Sequence, residues 1–223
     1  MSFLSRLFGG GNKPEEAEGR LTQRLERLEA EAETVAAAYV GSTYNRAGDL
    51  ALRADDLGRA VAYYGRAVNA FLEDGQREAA RGVANKIIRV RPGSVRTLCT
   101  LTWLDLASRH TATALLHLRD YVDAAKDVDE YALAANQVFA MARMVPDTEF
   151  LEAAADALDG LDFAHRAEEV REWAGQHGSP DALRDHDELA VACLRAASRS
   201  NEREKSTSGP KNAKKEPKKG GNS

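Results

Sequence analysis

Cysteine is scarce in this chain of 223 residues: there are 2, Cys99 and Cys193, far apart. That excludes a disulfide framework and a cysteine-based zinc site, and it suits a reducing compartment. No run approaches the ~20 consecutive apolar residues that a membrane-spanning helix needs. Aromatics make up only 6% of the residues. Together with abundant Ala, Leu, Arg and Glu, this leans towards helix and away from sheet. The hydrophobic share is an ordinary 43%, which excludes wholesale disorder. The length suffices for one large core or two small ones.

Catalytic signatures are missing as well. There is no glycine-rich phosphate loop, no dinucleotide fingerprint after a strand and no serine elbow. The five histidines are His110, His117, His165, His177 and His186. His110 and His117 are seven apart and can share a helix face, but no third metal ligand accompanies them. The acidic run Asp181, Asp185, Asp187 and Glu188 follows Ser179–Pro180, a helix-start signal, and lacks the ligand order of a calcium loop. Asp55/Asp56 and Asp127/Asp129/Glu130 fall at helix junctions and read as caps. Cys99, in the apolar stretch TLCTLTWL, reads as a small buried hydrophobe. The expectation is a non-enzyme with no metal and no cofactor.

The formal net charge is −4, unevenly spread. Residues 201–223 hold seven basic and three acidic residues, a +4 tail that leaves −8 on residues 1–200. An acidic body repels phosphates, so nucleic acid is expected to bind through the tail or not at all. Residues 1–14 form a short segment of their own. Phe3, Leu4, Leu7 and Phe8 sit at helical spacing ahead of a Gly-rich linker. They form an amphipathic foot suited to a membrane surface or a partner groove, or a frayed end packed on its own body. Residues 200–223 read as a disordered, Lys-rich tail.

Between them, residues 15–199 carry helical periodicity throughout. Leu21, Leu25, Leu28, Ala32, Val35 and Tyr39 form a heptad-like stripe flanked by Arg20, Arg24, Arg27, Glu26 and Glu29, the seam of a coiled coil with a second chain or, as favoured, the buried face of a helix within the domain. Gly41–Ser42 is a candidate break in this first helix. Turn or cap chemistry recurs at Asp55–Asp56, Asp74–Gly75, Pro92–Gly93, Arg109–His110, Asp127–Asp129, Pro146–Asp147, Gly160–Asp162 and Gly178–Pro180. The intervening segments are helix-length, and no useful stretch alternates with period two. The fold class is therefore all-α, with antiparallel helices joined by short loops.

The stretch 44–71 resembles a tetratricopeptide repeat. Tyr44 stands at that family's first large position, Ala47–Gly48 at its Leu-Gly pair, and Ala60, Tyr64 and Ala67 at the small-aromatic-small triplet of its second helix. Gly48 and Ala60 are small where two helices cross, and Tyr64 fills the wedge beside them. Residues 93–126 are similar over 34 residues: Leu98–Cys99 at the Leu-Gly place, Ala112 as the small residue and Leu116 as the bulky one, after the closing Pro92. Ala167 and Val170 mark a weaker hairpin. Helix 76–90 resembles a second helix although one already precedes it, so the register slips.

The resemblance implies a helix-hairpin solenoid, a tetratricopeptide-like superhelix, whose groove binds a peptide or helix of a partner protein. Carried over by position, the groove residues are Asn45, Asp49, Arg96, Thr100 and Trp103. Asp49 stands where carboxylate-gripping members need an Asn, so that specificity is not implied. The expected function is a cytoplasmic, non-enzymatic adaptor of bacterial type, peripheral to the membrane if the foot engages lipid. The second reading is a regulator acting on nucleic acid or membrane through the tail or the foot.

Overall fold

A computed structural model describes residues 14–202 of the chain. The described residues form ten α-helices and no strand. They are α1 (Pro14–Thr34), α2 (Ala37–Arg53), α3 (Leu57–Glu73), α4 (Arg77–Val90) and α5 (Val95–Ala107), then α6 (Thr111–Asp127), α7 (Tyr131–Met144), α8 (Thr148–Gly160), α9 (Ala164–Gly175) and α10 (His186–Glu202). No helix among them is long and apolar enough to cross a membrane. Helices adjacent in sequence stack on one another from α1 to α9, with the broadest contacts in α2/α3, α5/α6 and α8/α9. Those pairs correspond to the stretches 44–71 and 93–126 and to the weaker hairpin marked by Ala167 and Val170.

The turns explain the stacking. Asp55, Gly75, Arg109, Asp129, Asp162 and His177 each adopt a left-handed conformation, with φ between 55° and 70°. At each site the next backbone N–H donates to a carbonyl five residues earlier, at 2.8–3.0 Å: Asp56 to Ala51, Gln76 to Phe71, His110 to Asp105, Glu130 to Ala125, Phe163 to Leu158 and Gly178 to Trp173. This is the Schellman closure, which satisfies orphan carbonyls while reversing the chain in three residues. Only one of the six uses glycine, the residue best suited to that conformation. Five residues beyond the first five of these positions stands an alanine, Ala60, Ala80, Ala114, Ala134 or Ala167, and every one is fully buried. A methyl group there lets the new helix start against the old one.

Two other junctions are different. Arg91 and Val145 end α4 and α7 with extended ψ of 84° and 128°, as a residue before proline must. Two Schellman turns and one proline junction therefore alternate. Arg109 follows Asp55 by 54 residues, Asp129 follows Gly75 by 54, and Pro146 follows Pro92 by 54. The repeating cadence spans three helices, α2–α4 and then α5–α7. This is the source of the register slip: α4 is the third helix of its group.

Several sequence expectations need correction. The first helix breaks at Val35–Ala36, where Ala36 is extended, and Gly41 lies inside α2. A Cβ on Gly41 would sit 2.6 Å from the Phe71 ring, so this glycine serves close packing instead of a break. Tyr39 is exposed and leaves the buried stripe. In α6 the small and bulky positions are Ala114 and Leu118, because Ala112 is exposed and Leu116 is 54% exposed. The left-handed residue sets that phase, and it lies at Arg109.

After α9 the chain changes course. Ser179 Oγ donates to the Arg143 carbonyl at 2.5 Å, and the Leu183 amide donates to the Met144 carbonyl at 2.9 Å. This strap returns the chain across the end of α7 and delivers α10 onto α5 and the edge of α3. Asp185 caps α10 through the backbone N–H groups of Asp187 and Glu188. Leu189, Ala190, Cys193, Ala196 and Ala197 form its buried face. As a result every residue of α5 from Thr97 to Ala107 is buried.

The tightest helix crossing is α2 on α3. A Cβ on Gly48 would lie 2.5 Å from the Tyr64 ring, which is itself fully buried. Gly48→Ala is expected to destabilise the fold by about 1–3 kcal/mol through overpacking. Gly65→Ala, where the added carbon meets nothing within 4 Å, is expected to be neutral or stabilising by up to about 1 kcal/mol. Urea unfolding followed by circular dichroism separates the two.

Candidate functional site

The five groove residues fall into three environments. Thr100 and Trp103 are 1% and 0% exposed, so they belong to the core and cannot meet a partner. Their helix is covered by α10. The Trp103 indole N–H donates to Gln137 Oε1 at 3.1 Å, and the Thr100 hydroxyl bonds back to the Arg96 carbonyl at 3.0 Å.

Asn45 and Asp49, one turn apart on α2, share a lysine from α4. Lys86 Nζ donates to Asn45 Oδ1 at 2.9 Å and to Asp49 Oδ1 at 2.6 Å. The Tyr64 hydroxyl also donates to Asp49 Oδ1, at 2.7 Å. Burial alone would raise the Asp49 carboxyl. The Lys86 and Tyr64 hydrogen bonds and the charges of Lys86 and Arg53 outweigh it, and the group lies below its ordinary value of 3.8. Burial and the Asp49 carboxylate push the Tyr64 phenol up. Sequence reading saw Asn45 and Asp49 but not Lys86, whose approach depends on how α4 stacks.

Arg96 borders an open cleft of about 510 Å³ between the start of α5, the end of α6, α7 and the end of α10. Val95, Tyr121, Val128 and Leu133 supply apolar wall, and Arg91, Glu130 and Gln137 supply polar groups. Val128 and Leu133 are 53% and 39% exposed, two of the few large aliphatic side chains left open. Cys99 borders the same cleft, and burial pushes its thiol up to about 12. A thiol held protonated is a poor nucleophile.

A further cluster escaped the sequence reading. Asp105, fully buried in α5, accepts from His117 Nδ1 at 2.6 Å. Its other oxygen lies 3.2 Å from Arg81 Nε without the alignment of a hydrogen bond, and His110 Nδ1 is 4.0 Å away. The Arg81 guanidinium also meets His110 Nδ1 at 3.1 Å. This carboxylate ties α4, α5 and α6 together. The signal in sequence was a lone acid in the apolar TLCTLTWLDLA. Among the described residues, no group of three or more His, Cys, Asp or Glu is placed to hold a metal ion. Phe3, Leu4, Leu7 and Phe8 and the Lys-rich tail from 203 onward lie outside the described residues.

Comparison with known proteins returns no match: no family model fits the chain, and no curated protein or solved structure is similar to it.

Asp105→Asn is expected to lower the unfolding free energy by about 1–3 kcal/mol, because it removes, at a fully buried position, the carboxylate that accepts from His117 and faces Arg81. Arg171→Ala, which removes exposed pairs to Asp156 and Asp159, is expected to change it by less than about 1 kcal/mol. Equal effects in a urea series would show that Asp105 is not a structural tie.

Asp49 makes a pH prediction with a definite sign. Its folded value is depressed, so the stability it adds is present above 3.8 and drains as pH falls through the lower folded value. Asp49→Asn is expected to flatten the acid limb of the stability–pH curve in that window while leaving its slope near neutrality unchanged. An unaltered acid limb would refute the assignment.

Proposed function

We propose that the chain is a non-enzymatic interaction scaffold that receives a segment of a partner protein in the cleft beside Arg96. The observation that carries this reading is the pairing of exposed Val128 and Leu133 on the wall of a cleft of about 510 Å³. Contiguous apolar surface left open on a folded domain marks an interaction site. The volume falls within the ~300–1,000 Å³ range of ligand clefts, and it accommodates a few anchoring side chains but not a whole helix.

The chain itself supplies a precedent. α10 lies with its apolar face on α5, the helix-in-groove mode of recognition, within one polypeptide. Its seat is the face that an open superhelix would offer to a partner, so the partner is assigned to the space that α10 leaves free.

A photo-crosslinking benzophenone residue at Leu133 tests this, with one at Leu57, which is exposed on α3, as the control. A discrete protein adduct from Leu133, absent from Leu57 and lost when Arg96→Glu is added, is the expected result. Identical adducts from both sites, or none from Leu133, would overturn the proposal.

A further inference from the structure

A second surface, separate from the cleft beside Arg96, lies between the first two helices. Four arginines line a cleft of about 380 Å³: Arg24 and Arg27 from α1, Arg46 and Arg53 from α2. The spacing on each helix puts its pair on one face. Glu31 and Asp49 are the acids of the lining, and both are already engaged. Glu31 pairs with Arg46 at 2.8 Å, and Asp49 pairs with Lys86 at 2.6 Å.

Two further acids of α1 help to hold it in place. Glu29 pairs with Arg66 at 2.5 Å, and Glu18 lies 3.8 Å from Arg59. Among the described residues, Arg24 and Arg27 make no ion pair, and Arg53 acts on Asp49 only through its field. Three guanidinium groups thus converge on one concavity without a carboxylate of their own, in a body whose residues 1–200 carry −8. Like charges held together in a cleft repel and also focus the field towards an anion. Guanidinium groups, with their planar fork of donors, match carboxylates in pairs.

We propose that this α1/α2 cleft docks a short acidic segment of a partner protein, rich in Asp or Glu, through Arg24, Arg27 and Arg53. A short segment fits because the arginines cluster in the cleft while residues 1–200 as a whole carry −8. A long polyanion such as a nucleic acid would overrun it onto the acidic body and be repelled. The chain's own basic tail is excluded as the occupant by its sign.

The test uses the full chain and a fluorescent decaglutamate peptide, read by anisotropy, with decaglutamine as the neutral control. Binding to decaglutamate alone, weakened by added salt, is expected. Arg24→Gln combined with Arg27→Gln should weaken it at least about tenfold, the loss expected for charge-assisted hydrogen bonds. Arg53→Gln should weaken it independently. All three side chains are exposed, so an unchanged helical spectrum and melting temperature should confirm that the variants fold.

Four results would overturn the proposal. Binding could survive the arginine changes and vanish when Lys211, Lys214, Lys215, Lys218 and Lys219 are changed to Gln, which would place it on the tail. Inorganic phosphate could displace the peptide at an equal or lower concentration of charge, which would mark a site for a free oxyanion. An oligonucleotide could bind more tightly than the peptide through the same arginines. Self-association abolished by the arginine changes would make a second copy the occupant. None of these outcomes bears on the crosslink at Leu133, so the two readings stand or fall separately.

Discussion

From Thr97 onward α5 has no solvent face, and the stack is arranged around that fact. Its residues from Thr97 to Ala107 are all buried, in a helix that is apolar on every side apart from Asp105 and a few threonines. A helix of this kind is unstable until it is covered all round. α4 and α6 cover part of it, as neighbours in a stack must, and α10 returns from the far end of the chain to cover the rest. The strap at 178–184, the Ser179 and Leu183 hydrogen bonds that hold it and the cap at Asp185 all serve that return. α10 is therefore part of the core, although in sequence it adjoins a Lys-rich tail.

The remaining helices are placed by a local rule. Schellman turns reverse the chain within three residues, and a fully buried alanine five residues later lets the next helix lie close. Proline interrupts this after α4 and α7, where it forces the preceding residue to be extended. Turn chemistry was legible because it depends on residues at the turn itself: each Schellman turn falls at or beside a site with turn residues in the sequence, whereas the break at Val35–Ala36 carries no such mark. The phase within α6 was harder. Ala112 and Leu116 have the same spacing as Ala114 and Leu118, and apolar periodicity alone does not separate them. The left-handed residue does, and Arg109 carries no local mark of that conformation in the way glycine would.

The groove was misread for a different physical reason. The tetratricopeptide resemblance implies an open face for Thr100 and Trp103, and both are buried. What covers that face is a helix about 90 residues further along, and such a non-local contact has no signature near either partner. The same limit hid Lys86 from Asn45 and Asp49. It also hid Arg81 and His117 from Asp105, since each pairing spans two or three helices. The Arg20, Arg24 and Arg27 spacing on α1 could be read along the chain. The facing pair on α2 could not, because their approach depends on the short break at Val35–Ala36.

The two clefts to which partners are assigned are bordered by α1 in one case and by the end of α10 in the other. α1 precedes the first Schellman turn and is tied down by ion pairs from Glu18, Glu29 and Glu31, which leaves its arginines facing α2. α10 follows the last one and runs across the stack instead of along it, so its end leaves the space beside Arg96 unfilled. In a repeat of small, close-packed helices, binding surfaces arise at such departures from the repeat. One cleft is apolar with a polar rim and the other is cationic. The two proposed sites therefore call for segments of different chemistry.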